Sequence, residues 1–256
     1  MSTTPTTGYA TTQSGARIYF ESHASDAPGQ TPLVLLHGSF GGNDTWSAWL
    51  PGLTKTRPVI AVELRGHAHS DDVDGPLSYE AMADDVAAVL AHLQVARADV
   101  LGYSLGATVA AGVALRHPEQ VRKLVMVSGV FDARGYEPQT RAAIGGLPAE
   151  FAPPPLVDAY QKAAPDKSRW PSLVAKIKAL ITGADGFSDR DIQALAAPLL
   201  LIMGDRDGFR IERALEVSRM VKRGQLAVIP GADHFFVFTR ADLVASLATT
   251  FLDADP

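Results

Sequence analysis

Short runs of apolar residues recur along this chain, and the stretches between them show helical periodicity. Continuous apolar runs of this length are typical of β-strands that are covered on both faces. Strands that alternate with helices predict an α/β fold with a mostly parallel central sheet, right-handed crossovers and a binding crevice at the carboxyl ends of the strands. Six runs fit this description: Leu33–Leu36, Val59–Val62, Val100-Leu101, Leu124–Val127, Leu199–Met203 and Leu226–Ile229.

The helices between these strands are indicated by apolar side chains three or four residues apart. One such stripe runs from Tyr79 to Leu93, and Ser78 stands where it can cap the first turn. In the last predicted helix, Thr239 and Asp242 have the spacing of a capping box, ahead of an apolar face that ends at Phe251. Before the first buried run, residues 16–21 alternate apolar and polar side chains, which predicts an edge strand.

The length of 256 residues favours a single domain. The Thr-rich residues 1–10 are expected to form a flexible leader. Residues 130–197 interrupt the alternation, because they contain a proline run at 153–155 and only weak helical patches at 156–164 and 173–181. We therefore expect a single α/β domain with a small helical cap inserted at 130–197, before the strand that carries the catalytic acid.

Charge and composition exclude several classes of function. The net charge is −5, and no cluster of Lys and Arg exceeds the pair Lys222-Arg223, so a nucleic-acid partner is not expected. The chain has no cysteine, which excludes disulfides, thiolate metal sites and a cysteine nucleophile. The first residues do not resemble a secretory signal, and the least polar stretch, 100–115, is too short and too polar to span a membrane. A cytoplasmic protein is expected.

The pentapeptide Gly102-Tyr103-Ser104-Leu105-Gly106 follows a predicted strand and precedes the predicted helix 107–116. A nucleophile that is forced into a strained strand-to-helix turn needs small neighbours, and glycine provides them. The alternative is a glycine-rich turn in which Ser104 has no chemical role.

A serine nucleophile needs a base, and the base needs an acid that orients it. His234 follows the last predicted strand, and the alternative is a solvated loop side chain. Asp207 follows the preceding strand and completes the chain order of serine, acid and histidine. Asp205 in the same loop is expected to shape the turn. Asp132, which follows a neighbouring strand, is a rival for the role of the acid.

Acyl transfer also needs backbone N–H groups that stabilise a developing oxyanion. The amide of Leu105 is one candidate. The second is the amide of Ser39 or of Phe40, with Ser39 preferred, because Gly41-Gly42 allows this loop to approach the nucleophile. His37 is expected to hold the loop by hydrogen bonding rather than to act as a second base.

These motifs resemble the α/β-hydrolase superfamily, in particular its Ser-His-Asp esterase-like members. The resemblance extends over roughly residues 16–252 outside the cap, and it implies a triad of Ser104, Asp207 and His234 with no cofactor. Two residues of the loop after the second buried run depart from the pattern, since Glu63 stands where Asp is common and Ala68 where Gly is common. The motifs that carry the resemblance, in family order, are His37-Gly38 with Gly41-Gly42, Arg65-Gly66-His67, Gly102–Gly106, Gly204–Asp207 and Gly231–His234.

Ser104 disfavours dehalogenases and epoxide hydrolases, which have Asp at this position. The predicted function is hydrolysis of small, mostly apolar carboxylic esters through an acyl-enzyme, without a metal ion. Hydrolysis of a carbon–carbon bond or of a lactone by the same triad is an alternative, and a ligand sensor with slow turnover is another. The oligomeric state is not predicted. The residues expected to contact substrate are Phe40, Tyr103, Phe131 and Phe235.

Overall fold

The computed structural model describes residues 4–27, 29–148, 150–151 and 154–255. Its strands form one eight-stranded sheet in the order β1-β2-β4-β3-β5-β6-β7-β8. β2 pairs antiparallel with both β1 and β4. The remaining neighbours, in the order β4-β3-β5-β6-β7-β8, pair in parallel. The predicted α/β-hydrolase architecture is confirmed. The strands are β1 (Thr6–Thr11), β2 (Arg17–His23), β3 (Leu33–Leu36), β4 (Val59–Val62), β5 (Ala98–Tyr103), β6 (Val121–Val127), β7 (Leu199–Gly204) and β8 (Gly224–Ile229).

Helices cover both faces of the sheet. In β3, Val34 and Leu36 pack into an apolar cluster with α2, α3, α6 and α8, whereas Leu33 and Leu35 pack into a second cluster with α1 and α10. This division follows from the two-residue period of a strand. The helices are α1 (Leu50–Leu53), α2 (Tyr79–His92), α3 (Leu105–Arg116), α4 (Pro138–Gly145), α5 (Pro154–Ala163), α6 (Trp170–Gly183), α7 (Asp189–Gln193), α8 (Ile211–Met220), α9 (Phe236–Thr239) and α10 (Ala241–Asp253).

The two predicted helix caps have different outcomes. Ser78 caps α2, because its hydroxyl accepts a hydrogen bond from the amide of Ala81 at 3.1 Å. The capping box predicted at Thr239 is wrong: Arg240 precedes α10, and its side chain makes no capping hydrogen bond. The short helix α9 explains the difference, since Thr239 is its last residue and directs its hydroxyl back toward the carbonyl oxygen of Phe235.

The N-terminal segment is more ordered than a flexible leader. The prediction for residues 1–10 is wrong for residues 6–10, which belong to β1, whereas residues 1–3 lie outside the described part. β1 pairs along its whole length with β2, and Ala10 is fully buried. The Thr residues that suggested a floppy segment are β-branched and suit a strand that packs one face. β1 and β8 are thus the edge strands, and β2, predicted as the edge, is second in the sheet. Leu226–Ile229, predicted as a strand covered on both faces, lies in β8, where only Ile229 is buried.

Residues between β6 and β7 form helices and contribute no strand to the sheet among the described residues. The helical patches predicted at 156–164 and 173–181 correspond to α5 and α6, whereas α4 and α7 were not predicted. α6 buries Trp170, Leu173 and Ile177 in the apolar cluster shared with α2 and α3. Throughout the part of the chain that the structure describes, every helix is too short or too polar to cross a membrane.

Candidate active site

The turn between β5 and α3 holds Ser104 in a strained conformation. Its φ is +54° and its ψ is −117°, a region that side chains other than glycine rarely adopt, at a cost of about 1–3 kcal/mol. A β-carbon at Gly102 would overlap the carbonyl oxygen of Gly106, and one at Gly106 would overlap that of Leu36. The two glycines therefore allow the backbones of β3, β5 and α3 to approach closely enough to form this turn.

Three side chains that are distant in sequence meet at the carboxyl ends of β5, β7 and β8. Oγ of Ser104 lies 3.0 Å from Nε2 of His234, and Nδ1 of His234 lies 2.9 Å from Oδ1 of Asp207. The Asp207 side chain is fully buried, whereas 31% of the His234 side chain is exposed. Because a carboxylate only accepts hydrogen bonds, Nδ1 carries the imidazole proton and Nε2 is left to accept from the serine hydroxyl.

The Asp207 carboxylate is held on both oxygens. Oδ1 accepts a second hydrogen bond from the amide of Gly208 at 2.7 Å, and Oδ2 accepts one from the hydroxyl of Ser128. The same hydroxyl oxygen lies 3.2 Å from Nδ1 of His234. Sequence reasoning missed Ser128, because it searched the end of β6 for an acid and weighed only Asp132. The available signal was that Ser128 is the first residue after a buried strand.

The other two carboxylates considered from the sequence, Asp132 and Asp205, form hydrogen bonds with residues outside the triad candidates. Asp132 accepts hydrogen bonds from the amide of Arg134 at 2.9 Å and from Nε of Arg213 at 3.1 Å. Asp205 accepts a hydrogen bond from the amide of Ala232 at 3.2 Å, which links the loops after β7 and β8. Asp205 therefore has the turn-shaping contact expected for it, and the geometry favours Asp207 as the partner of His234.

Tyr103 is the residue before Ser104 and packs beneath the imidazole. Its hydroxyl donates a hydrogen bond to the carbonyl oxygen of His234 at 3.0 Å, and the two ring centroids are 5.3 Å apart. Only 5% of Tyr103 is exposed, and burial raises the pKa of its phenol well above the usual value. The residue predicted to contact substrate thus has contacts that support the loop carrying His234.

The loop after β3 passes directly beside the nucleophile. A β-carbon at Gly38 would lie 3.2 Å from Cβ of Ser104, and Ser39 is the next residue of this loop. Within the described residues, the amides of Ser39, Phe40 and Leu105 make no hydrogen bond to another protein oxygen. This observation therefore does not separate Ser39 from Phe40 as the second candidate donor. Phe40, the alternative donor, has a left-handed φ of +65°.

His37 ties this loop to its neighbour. Nε2 of His37 accepts a hydrogen bond from the amide of Leu64 at 3.1 Å, so Nδ1 is the protonated nitrogen that donates to the carbonyl oxygen of Gly38 at 2.8 Å. Complete burial lowers the pKa of His37 to about 4, which keeps the ring neutral. These contacts agree with the holding role expected for His37.

The two departures from the family pattern have visible consequences in the loop after β4. Ala68 has a φ of +45°, so the backbone keeps the left-handed conformation that favours glycine, and Ala68 bears the strain. Glu63 is buried, and its carboxylate accepts hydrogen bonds from the amide of His69 at 2.7 Å and from Nδ1 of His69 at 3.0 Å. Burial raises the pKa of Glu63. The longer Glu side chain thus binds its own loop.

The remaining aromatic candidates lie in different surroundings. Phe235 is 59% exposed and its ring centroid is 5.7 Å from that of His234. Phe40 packs against Trp170 of α6, with ring centroids 5.4 Å apart. Phe131 is 2% exposed, and its carbonyl oxygen accepts a hydrogen bond from the amide of Phe187 at 2.9 Å. Phe235 is therefore the exposed candidate, whereas Phe40 and Phe131 both belong to the main apolar cluster.

A cavity of about 260 Å³ lies between α5 and the loops after β3 and β4. Phe40 forms part of its wall, together with polar side chains that include Asp44 and Glu63. Tyr160 of α5 also lines it. Of the four residues predicted to contact substrate, only Phe40 lines this cavity, and none of the three triad candidates lines it.

Residues 33–247 match the family described as the alpha/beta hydrolase family, which is most of the chain. This chain belongs to that family. The strand order of this α/β hydrolase and the strained Ser104 after β5 are consistent with the family assignment.

Among curated relatives, the α/β hydrolase is 28% identical over 244 residues to 2-hydroxymuconate semialdehyde hydrolase of Pseudomonas sp., with 86% of each chain covered. It is 28% identical over 243 residues to the pimeloyl-[acyl-carrier protein] methyl ester esterase of Neisseria meningitidis, covering 86% of this chain and 93% of that one. A carboxylesterase structure from Nitrososphaera gargenis superimposes with a TM-score of 0.81 at 19% identity, over 96% of this chain and 97% of the other. That likeness supports the fold alone.

Proposed function

We propose that this α/β hydrolase cleaves carboxylic esters through an acyl-enzyme formed on Ser104. The observation that carries the proposal is the continuous hydrogen-bonded path from Oγ of Ser104 through His234 to Asp207. A serine hydroxyl is a weak nucleophile until a base removes its proton. In this arrangement the base is already in contact with the hydroxyl and is held in the required tautomer.

The proposed reaction has two halves. Oγ of Ser104 attacks the substrate carbonyl while Nε2 of His234 takes the proton, and the protonated imidazole then donates that proton to the leaving alcohol. Water attacks the acyl-enzyme by the same route and releases the carboxylic acid. Asp207 stabilises the imidazolium in both halves. The amides of Ser39 and Leu105 stabilise the oxyanion, and each such donor contributes about 3 kcal/mol.

The names of the curated relatives support an ester substrate and also a second type of hydrolysis. One curated relative is named as a methyl ester esterase, and another as a hydrolase of 2-hydroxymuconate semialdehyde. The second name favours carbon–carbon bond hydrolysis as the competing activity, and a lactonase has the same requirements at the carbonyl. We place the acyl or alcohol group of a small, mostly apolar ester beside Phe40 and Phe235, as expected from the sequence.

We also propose that residues 130–197 act as a cap of a single hydrolase domain. α5 and α6 support this assignment, because Tyr160 lines the cavity next to Phe40 and Trp170 packs against Phe40. A cytoplasmic location and a small-molecule rather than nucleic-acid partner remain predictions from the sequence.

The test is a panel of aryl esters, lactones and vinylogous 1,5-diketones, assayed with the parent and with Ser104→Ala. We expect turnover of aryl esters and a fall in kcat of at least about a thousandfold in the variant. Ser246→Ala, which removes an exposed serine hydroxyl of α10, serves as the matched control. Ester hydrolysis that survives in Ser104→Ala would refute the proposal. Preferred turnover of the diketones would favour the carbon–carbon hydrolase, and a single stalled turnover would favour the sensor.

A further inference from the structure

Backbone strain is concentrated at one edge of the sheet. Among the described residues, five that are not glycine have positive φ, and four of these follow consecutive parallel strands. They are Phe40 after β3, Ala68 after β4, Ser104 after β5 and Ser128 after β6. Strain of this kind persists where the surrounding structure requires it, and it clusters at functional sites. Ser104 has a role in the proposed mechanism, but Ser128, with a φ of +51°, has none so far.

The hydroxyl of Ser128 lies between the acid and the base of the triad candidates. Its oxygen is within hydrogen-bond distance of Oδ2 of Asp207 and 3.2 Å from Nδ1 of His234. Because the carboxylate can only accept, the Ser128 hydroxyl must donate its proton to Oδ2. Its lone pairs then face the N–H of His234. Ser128 is fully buried, so water does not compete for these contacts.

This arrangement fixes the rotation of the Asp207 carboxylate. Gly208 and His234 bind Oδ1, and Ser128 binds Oδ2, so each oxygen has its own donor. Without the Ser128 hydroxyl, Oδ2 would be a buried acceptor with one partner fewer, and the carboxylate plane would be free to turn away from the imidazole.

We propose that Ser128 is a positioning residue of the active site, which acts through Asp207 to hold the imidazole of His234 in its productive orientation. This inference rests on the proposed function of the triad. It also explains why serine occupies a position whose backbone favours glycine. Glycine at 128 would relieve the strain but would remove the hydroxyl, and the strain is therefore the cost of keeping that group.

Two substitutions separate this role from a structural one. Ser128→Ala removes the hydroxyl and keeps a side chain in the left-handed region, whereas Ser128→Gly removes the hydroxyl and relieves the strain. We expect Ser128→Gly to unfold at a higher temperature than Ser128→Ala. Despite this difference, both variants should lose about tenfold to a hundredfold in kcat with little change in KM, since a hydrogen bond to a charged group is lost.

A double-mutant cycle with Asp207→Asn gives a second readout. If Ser128 acts through the carboxylate, Ser128→Gly should reduce kcat far less in the Asp207→Asn background than in the parent. The low-field proton resonance of the His234 imidazole should also shift in Ser128→Gly. Ser246→Ala controls for the loss of a serine hydroxyl elsewhere.

The inference is overturned if Ser128→Gly keeps the parental kcat, or if its effect is fully additive with that of Asp207→Asn. Failure of the proposed function is recognised separately, because Ser104→Ala would then retain ester hydrolysis. If Ser104→Ala is inactive while Ser128→Gly is fully active, the triad proposal stands and only the role of Ser128 is wrong. Ser128→Gly keeps the test decisive even if Ser128→Ala does not fold.

Discussion

The carboxyl edge of the sheet and the helical segment 130–197 are held in place differently. At the edge, Ser104 and Ser128 follow β5 and β6 directly, and strained backbone and directed hydrogen bonds fix their side chains. The segment packs apolar side chains of α6 on the main cluster and adds polar contacts, such as that of Lys176 with Asp72 at 2.6 Å. The difference teaches that the ends of the strands position the candidate catalytic groups, whereas the segment is attached mainly by side-chain packing on the sheet and by polar contacts at its margin.

The largest effect that this comparison predicts concerns the acid at the edge. Asp207→Asn should lower kcat by about 10⁴-fold, because an amide group can donate to Nδ1 and so favour the imidazole tautomer that cannot accept the serine proton. Initial rates on an aryl ester measure the loss. Asp205→Asn, in the same loop but bonded to the amide of Ala232, is the matched control. Equal losses in the two variants would contradict the assignment of the acid.

The second prediction compares glycines in the two regions. Gly102→Ala should lower the free energy of unfolding by at least about 3 kcal/mol, since the new β-carbon would overlap the backbone of Gly106. Gly183→Ala at the end of α6 meets no atom within 4 Å and should change it by less than about 1 kcal/mol in either direction. Urea denaturation measures both variants. A Gly102→Ala protein as stable as the parent would contradict the close approach of β5 and α3 at this turn.

The smallest effect is expected at the attachment of the segment. Nζ of Lys176 donates to Oδ1 of Asp72 and to the carbonyl oxygen of Val73, each at 2.6 Å. Lys176→Met should lower the free energy of unfolding by about 1–2 kcal/mol, because Asp72 keeps its ion pair with Arg169. We expect KM to rise several-fold with kcat unchanged, as for a loss of uniform binding.

Lys167→Met, which alters an exposed lysine just before α6, is the matched control for Lys176→Met. Thermal unfolding and steady-state kinetics are measured on both variants. A large fall in kcat for Lys176→Met, without a change in KM, would mean that the segment takes part in positioning the reacting groups and would remove the distinction drawn between the two regions.

Apolar patterns and motifs in the sequence predict the mostly parallel sheet and name the three triad candidates, and both predictions have a physical basis. Continuous apolar runs are typical of strands covered on both faces, and five of the six runs lie in the inner strands β3–β7, whereas the sixth lies in the edge strand β8. Prediction failed where the signal was compositional. The Thr-rich composition of residues 1–10 predicts a flexible leader, but residues 6–11 pair with β2. Strand pairing depends on a partner that the local sequence does not reveal.

The amino-acid sequence by itself determined the alternation of β3–β8 with helices, the glycine-flanked turn at Ser104 and the loops that carry Asp207 and His234, because apolar patterns and glycine sterics are local properties. Only the tertiary structure decided which carboxylate meets His234 and that Ser128 contacts Asp207, 79 residues away along the chain. Hydrogen bonds between strand ends depend on strand order, register and side-chain direction in the assembled sheet, and these become fixed only when the whole chain packs.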